Sequence, residues 1–125
     1  VADYIDLPAL RYFVLEESWV LDIVAMPGVV ELKVDLTFAK DHPELKPARD
    51  GEVFYGRVGV IRFTGVRSLA WTHQGAKPSK DPNGDLDWDA IDSFTWLGTR
   101  HRLEGRFGVI EVDAENLECV LTGPT

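Results

Sequence analysis

The chain is poor in the residues that most often betray chemistry. Its 125 residues include one cysteine and three histidines. A lone Cys119 excludes an intrachain disulfide, and His42, His73 and His101 do not stand at zinc-ligand spacing from one another or from the cysteine. No G-x-S-x-G elbow lifts Ser18 or Ser93 into a nucleophile's place, and no glycine-rich phosphate loop is present. No apolar run approaches the roughly 18 residues of a membrane span, and no signal-peptide core is seen. The expectation is a cytoplasmic protein without a cofactor. Basic residues are also short: 13 against 21 acidic ones, for a net charge of −8. A field of that sign repels phosphate backbones and anionic lipid, so neither nucleic acid nor membrane is an expected partner.

A helix of ordinary length is missing as well. From Trp19 to Leu121 the chain reads as short alternating apolar runs separated by turn residues. The composition, 45% hydrophobic and 27% charged, is that of an ordinary globule. The length fits one domain spanning residues 1–125, able to bury about two-thirds of its unfolded surface.

Residues 1–15 read as an arm or a short helical turn, with Asp6 as cap and Pro8 in the first turn. Residues 18–26 place Trp19, Leu21, Ile23 and Ala25 on one face, which leaves Asp22 on the other as the one acid that the pattern half-buries. Pro27-Gly28 then supplies a turn, and residues 29–38 give the clearest strand, with Val30, Leu32, Val34, Leu36 and Phe38 facing one way. After a polar loop (39–51), strands are expected at 52–63 and 66–72, with Thr64-Gly65 either a tight turn or a bulge in a longer ribbon. Four more follow at 91–96, 100–105, 107–112 and 117–121, with turns at Leu97-Gly98 and at 113–116. Cys119 falls in the last of these, in phase with Leu117 and Leu121, as a buried thiol. The fold expected is all-β: about eight mostly antiparallel strands in a sandwich or flattened barrel.

Residues 74–90 form the longest break and the candidate functional segment. Charge is uneven around it: four bases and no acid lie from Arg62 to Lys80, and five acids and no base from Asp81 to Asp92. Trp88 stands between Asp87 and Asp89. It is either a docking residue for a basic partner or the anchor that folds the loop back. The partner surface expected is Trp88 with Asp85, Asp87, Asp89 and His73, which follows Trp71 at the base of the loop. Asp81, Asn83, Asp85, Asp87 and Asp92, with Asp89, also superficially follow the oxygen spacing of a calcium loop. Leu86 replaces the required glycine, however, Asp92 replaces the bidentate glutamate, and the flanks read as strands. An acidic turn bonding its own backbone accounts for the same residues.

The segment Val60-Ile61-Arg62-Phe63-Thr64-Gly65-Val66-Arg67-Ser68-Leu69, with Asp92-Ser93-Phe94 and Leu103-Glu104-Gly105-Arg106-Phe107-Gly108, resembles an uncharacterised family of small bacterial all-β domains. Some such domains are grouped with the immunity proteins of polymorphic toxin systems. The resemblance spans about residues 18–121 and rests on structural motifs, so it implies no catalytic residues. It implies an acidic domain that covers a basic protein. The reading from residues agrees: a non-catalytic interaction domain whose acidic loop meets a basic patch. A barrel enclosing a small apolar ligand is the alternative, and a homodimer through a sheet edge is compatible with either. An enzyme has the least support, and would need Asp22 or His73 to share a cleft with a second titratable group.

Overall fold

Alternation of apolar and charged side chains makes residues 29–38 a strand with one wet face, and β3 (Val29–Phe38) has the expected bounds, with Val30, Leu32, Val34, Leu36 and Phe38 buried. Pro27-Gly28 joins it to β2 (Phe13–Met26), with Gly28 at a φ of +77°. The computed structural model describes residues 1–40, 56–74, 79–80 and 86–122, and for 79–80 and 86–87 the backbone alone. The other strands are β1 (Ala2–Asp3), β4 (Gly56–Thr72), β5 (Ser79–Lys80), β6 (Leu86–Asp87), β7 (Ile91–Leu97), β8 (Arg100–Gly105) and β9 (Gly108–Leu121). Seven of them form one antiparallel sheet in the order β1-β7-β8-β9-β4-β3-β2. The fold is all-β as expected, an unclosed sheet folded over on itself. Among the described residues no helix is long and apolar enough to cross a membrane.

The two longest strands carry the rest. β4 pairs with β9 from Gly59–Leu121 to Thr72–Val109. β3 pairs only with residues 56–64 of β4, and β8 only with residues 108–113 of β9. The ribbon therefore holds the β2–β3 hairpin at one end and β8, β7 and β1 at the other. The inward positions change phase between these ends. In β9 they run Ile110, Val112 and Ala114, then step by three to the half-buried Leu117 and on to Cys119 and Leu121. In β4 they step by three from Phe63 to Val66. The step falls at Gly65, at a φ of +62°, where a Cβ would lie 2.9 Å from that of Glu115. Of the two alternatives for Thr64-Gly65 the longer ribbon holds, so residues 66–72 continue β4. One expectation is corrected: 108–112 and 117–121 belong to one strand with no turn at 113–116. A shift of alternation phase looks in sequence like the end of a strand.

Three further corrections concern smaller elements. Asp6 caps no α-helix: it ends a 3₁₀ turn (Tyr4–Asp6), because Tyr4 and Leu10 both enter the core and the chain between them bends to place both. The 74–90 segment is not a plain loop, since β5 pairs with β6 in a two-stranded ribbon. Trp19, expected in the core, is 46% exposed, because β2 is bulged on either side of it. Ile23, one bulge later, packs against the core as the alternation predicts.

The sheet curls until its edges meet at one point, where Trp19 pairs with Ala90 just ahead of β7. Phe63 of β4 reaches Phe94 of β7 across the interior (centroids 6.2 Å apart), and Tyr4 meets Phe94 at 6.3 Å. Phe63, Phe94, Phe107, Leu103 and Ile110 are each at most 2% exposed, so side chains fill the space that a ligand-enclosing barrel would leave open. On the outer face, three arginines each lie between two carboxylates: Arg62 between Glu31 and Glu118, Arg67 between Asp113 and Glu115, and Arg102 between Glu104 and Glu111. The basic run seen in sequence thus presents no free arginine at 62 or 67.

His101 is the one buried histidine among the described residues. It lies 5.1 Å from Phe63 and 6.0 Å from Phe94, and its Nδ1 has no partner. Burial holds its pKa below the ordinary histidine value. The unfolded chain therefore binds a proton that the folded chain refuses. The stabilisation is complete above the unfolded pKa of about 6.5 and is lost as pH falls toward the folded value. Urea unfolding at about pH 7.5 and about pH 5.5 should show wild type losing more stability on acidification than His101→Phe. Equal losses would remove His101 from the acid sensitivity.

Candidate interaction site

The site begins with the way β2 bends. Between the pairs Val14–Thr37 and Trp19–Asp35, four residues of β2 face a single residue of β3, Leu36. Such a bulge takes backbone groups out of the ladder, and those groups need other partners. Ser18 supplies them. Fully buried, its hydroxyl donates to the Val14 carbonyl (2.7 Å) and accepts the Thr37 N–H (3.0 Å). The Thr37 hydroxyl donates to the Glu17 carbonyl at 2.7 Å. From the other side, the buried Tyr4 phenol accepts the Leu15 N–H (3.1 Å) and donates to the Glu16 carboxylate (2.7 Å). Burial and the Glu16 charge hold that phenol protonated well above the ordinary tyrosine value.

The bulge turns Trp19 outward and gathers acids around it. Glu16, Glu17, Trp19, Asp35, Thr37 and Gly56 line an open cleft of about 450 Å³. Glu16 is held by Tyr4, whereas the carboxylates of Glu17 and Asp35 meet no cation among the described residues. Desolvation raises the Asp35 carboxyl above its usual value.

The expected site residues meet this cleft in part. The Trp88 N–H donates to the Val20 carbonyl (3.0 Å) and the Val20 N–H to the Asp89 carbonyl (2.9 Å), so residues 88–90 run along the outer edge of β2 next to Trp19. Trp88 is half-buried and packs against the core. Asp89 adopts a φ of +57°, and its carboxylate lies 3.7 Å from the Arg106 guanidinium. His73 is exposed at a φ of +59°, where β4 ends and the segment departs. Left-handed residues thus mark both ends of the segment. Asp92 is exposed. Asp81, Asn83, Asp85 and His42 lie outside the described residues, and of Asp87 only the backbone is described. Among the described residues no three His, Cys, Asp or Glu side chains come together to hold a metal. Asp22 is exposed, not half-buried, and its carboxylate accepts the Ile23 N–H at 2.9 Å.

Sequence reasoning passed over Trp19 and Asp35. The signal that would have found the site is Glu16-Glu17-Ser18, three consecutive polar residues that break the alternation of a largely apolar strand. Asp35 looked like one more wet position on β3. Comparison of the chain with protein-family models, with curated proteins and with solved structures returned no match.

Ser18→Ala would leave the Thr37 N–H and the Val14 carbonyl without their partner in a buried place. A loss of about 1–3 kcal/mol in stability is expected, measured by urea unfolding. A change within about 0.5 kcal/mol would mean that the bulge does not depend on Ser18.

Proposed function

We propose that this is a non-catalytic protein-interaction domain that takes a partner with a basic patch on the acidic face formed by the β2 bulge, with residues 88–90 running beside it. The observation that carries the reading is Trp19. A large aromatic, 46% exposed, sits beside Glu16, Glu17 and Asp35 in a molecule whose outer-face arginines at 62, 67 and 102 are already matched by carboxylates. Exposed tryptophans in such settings serve as anchors, and surrounding carboxylates favour lysine and arginine by field and by contact. Trp88 contributes as the residue that ties residues 88–90 down beside Trp19. The filled interior gives little support to a small-ligand barrel. An immunity-type role, in which an acidic domain covers a basic toxin, is the version of this function to which the sequence resemblance leads.

The two tryptophans separate docking from anchoring. Trp19→Ala should cost under about 1 kcal/mol in stability, and Trp88→Ala about 2 kcal/mol, near half the price of a fully buried tryptophan. In capture from native lysate, basic proteins held by wild type at low salt should be lost with Trp19→Ala and with Glu17→Lys while both variants remain folded. Capture undiminished by either substitution would overturn this function.

A further inference from the structure

Among the described residues, two stretches of the sheet run on with no strand on one side, while the outer edges of β7 and β2 are met in part. The edge of β7 is covered by β1 at Thr95–Trp96 and approached by Trp19 at Ala90. That of β2 is met by residues 88–89 at Val20 and blunted at Ile23, whose N–H is taken by Asp22. Past Ala114, whose N–H goes to the Thr99 carbonyl, β9 has β4 on one side and, among the described residues, no strand on the other, and this stretch carries the exposed acids Glu115 and Glu118. β4 is different. Past Thr64 it has β9 on one side and, among the described residues, no strand on the other. The Val66 N–H still reaches the Gly28 carbonyl at 3.1 Å, the last bond that the hairpin offers. The Gln74 side chain donates to the Trp71 carbonyl at 2.8 Å, which shows that Trp71 faces away from β9. By ladder alternation Leu69 faces away too. Ser68, Leu69 and Ala70 are exposed, and the edge continues into a groove of about 410 Å³ that Trp96 and Leu97 also line.

We propose that this edge pairs with the same edge of a second copy of the chain. Residues 68–72 read Ser-Leu-Ala-Trp-Thr, with no charge, and the flanking Arg67 is held by Asp113 and Glu115 of its own sheet. In a chain of net charge −8, two copies can meet here without opposing like charges, whereas a basic partner gains no electrostatic attraction at this edge. The stretch is also self-complementary. An antiparallel pair with Ala70 on the two-fold axis sets Leu69 of each copy opposite Trp71 of the other, so each Trp71 N–H donates to a Leu69 carbonyl. Ala70 then faces its own mate at the closest point of approach, where a small side chain fits. The two-fold contact uses this edge on both copies at once, so it closes at a dimer. So short a contact implies weak association, micromolar to millimolar.

Sedimentation velocity tests this directly. The wild-type mass average should climb toward twice the chain mass as concentration rises to about 1 mM. Leu69→Lys should weaken association by about tenfold or more, and Val24→Lys, near the guarded β2 edge, should leave it unchanged. The Leu69 and Trp71 amides of wild type should exchange more slowly as concentration rises, a readout that needs no variant to fold. A wild type that stays monomeric, association indifferent to Leu69→Lys, association weakened equally by Val24→Lys, or a dimer whose Leu69 and Trp71 amides exchange freely would each overturn the proposal.

Discussion

The pairing of β4 with β9 is the constraint on which the other elements depend. Neither the β2–β3 hairpin nor β8 with β7 can bury its apolar face alone, and each is held against the other only because one continuous ribbon runs through both ends of the sheet. For that ribbon to serve both ends, its inward side chains must change phase part-way along. Gly65 supplies the left-handed backbone at the step, and β9 makes the same step beyond Ala114. A ribbon without the step would turn Leu117, Cys119 and Leu121 away from the core. As it stands, burial pushes the Cys119 thiol up to about 12, which keeps it protonated and unreactive.

The acidic cleft is a by-product of the same folding-over. To bring the edge of β2 to Ala90 the strand must bend, and it bends by gaining residues over β3. Those residues leave the ladder, so Ser18, Thr37 and Tyr4 satisfy them from the side. With Ser18 buried at its base, the bulge leaves Glu17 and Trp19 on the outer surface across from Asp35. Elsewhere on the outer face Arg62, Arg67 and Arg102 are each shared by two carboxylates, so every such triad stays net negative but none of its acids stands without a cation. The bulge differs from them: among the described residues no arginine pairs with Glu17 or Asp35.

What was legible in the sequence was whatever strict alternation encodes. β3 and β8 have the expected bounds because nothing interrupts their period of two. The merged strands were not legible, since a change of phase and a turn leave the same trace in a hydrophobic pattern. Thr64-Gly65 permitted both, and only the pairing with 114–116 decides between them. The site was half legible. Trp88 drew attention because its neighbours in sequence are aspartates, yet its backbone is drawn onto β2 and its ring packs on the core. Trp19 read as core because its neighbours alternate, yet a bulge turns it outward. In both cases exposure is set by contacts between residues some 70 positions apart, Trp19 with Ala90 and Val20 with Trp88, and a local pattern does not encode those.

The open edge of β4 follows from lengths alone. The Pro27-Gly28 turn ends β3 at the pair Val29–Thr64, while the ribbon must continue to Thr72 so that Trp71 can reach the Phe107 carbonyl with its indole N–H (2.8 Å) and β9 can be paired as far as Val109. The hairpin is too short to cover the strand whose other half it covers, and extending it past Pro27-Gly28 would carry Val24 and Met26, already exposed, further from the core. An uncovered strand end is a liability unless charge, proline or a side-chain cap blunts it. β2 has its Asp22, and at Trp71 the Gln74 side chain takes one carbonyl, but Leu69 has neither. The two surfaces thus differ in kind. The β2 edge carries the acids and suits a basic stranger, and the far end of β4 is neutral and suits its own image.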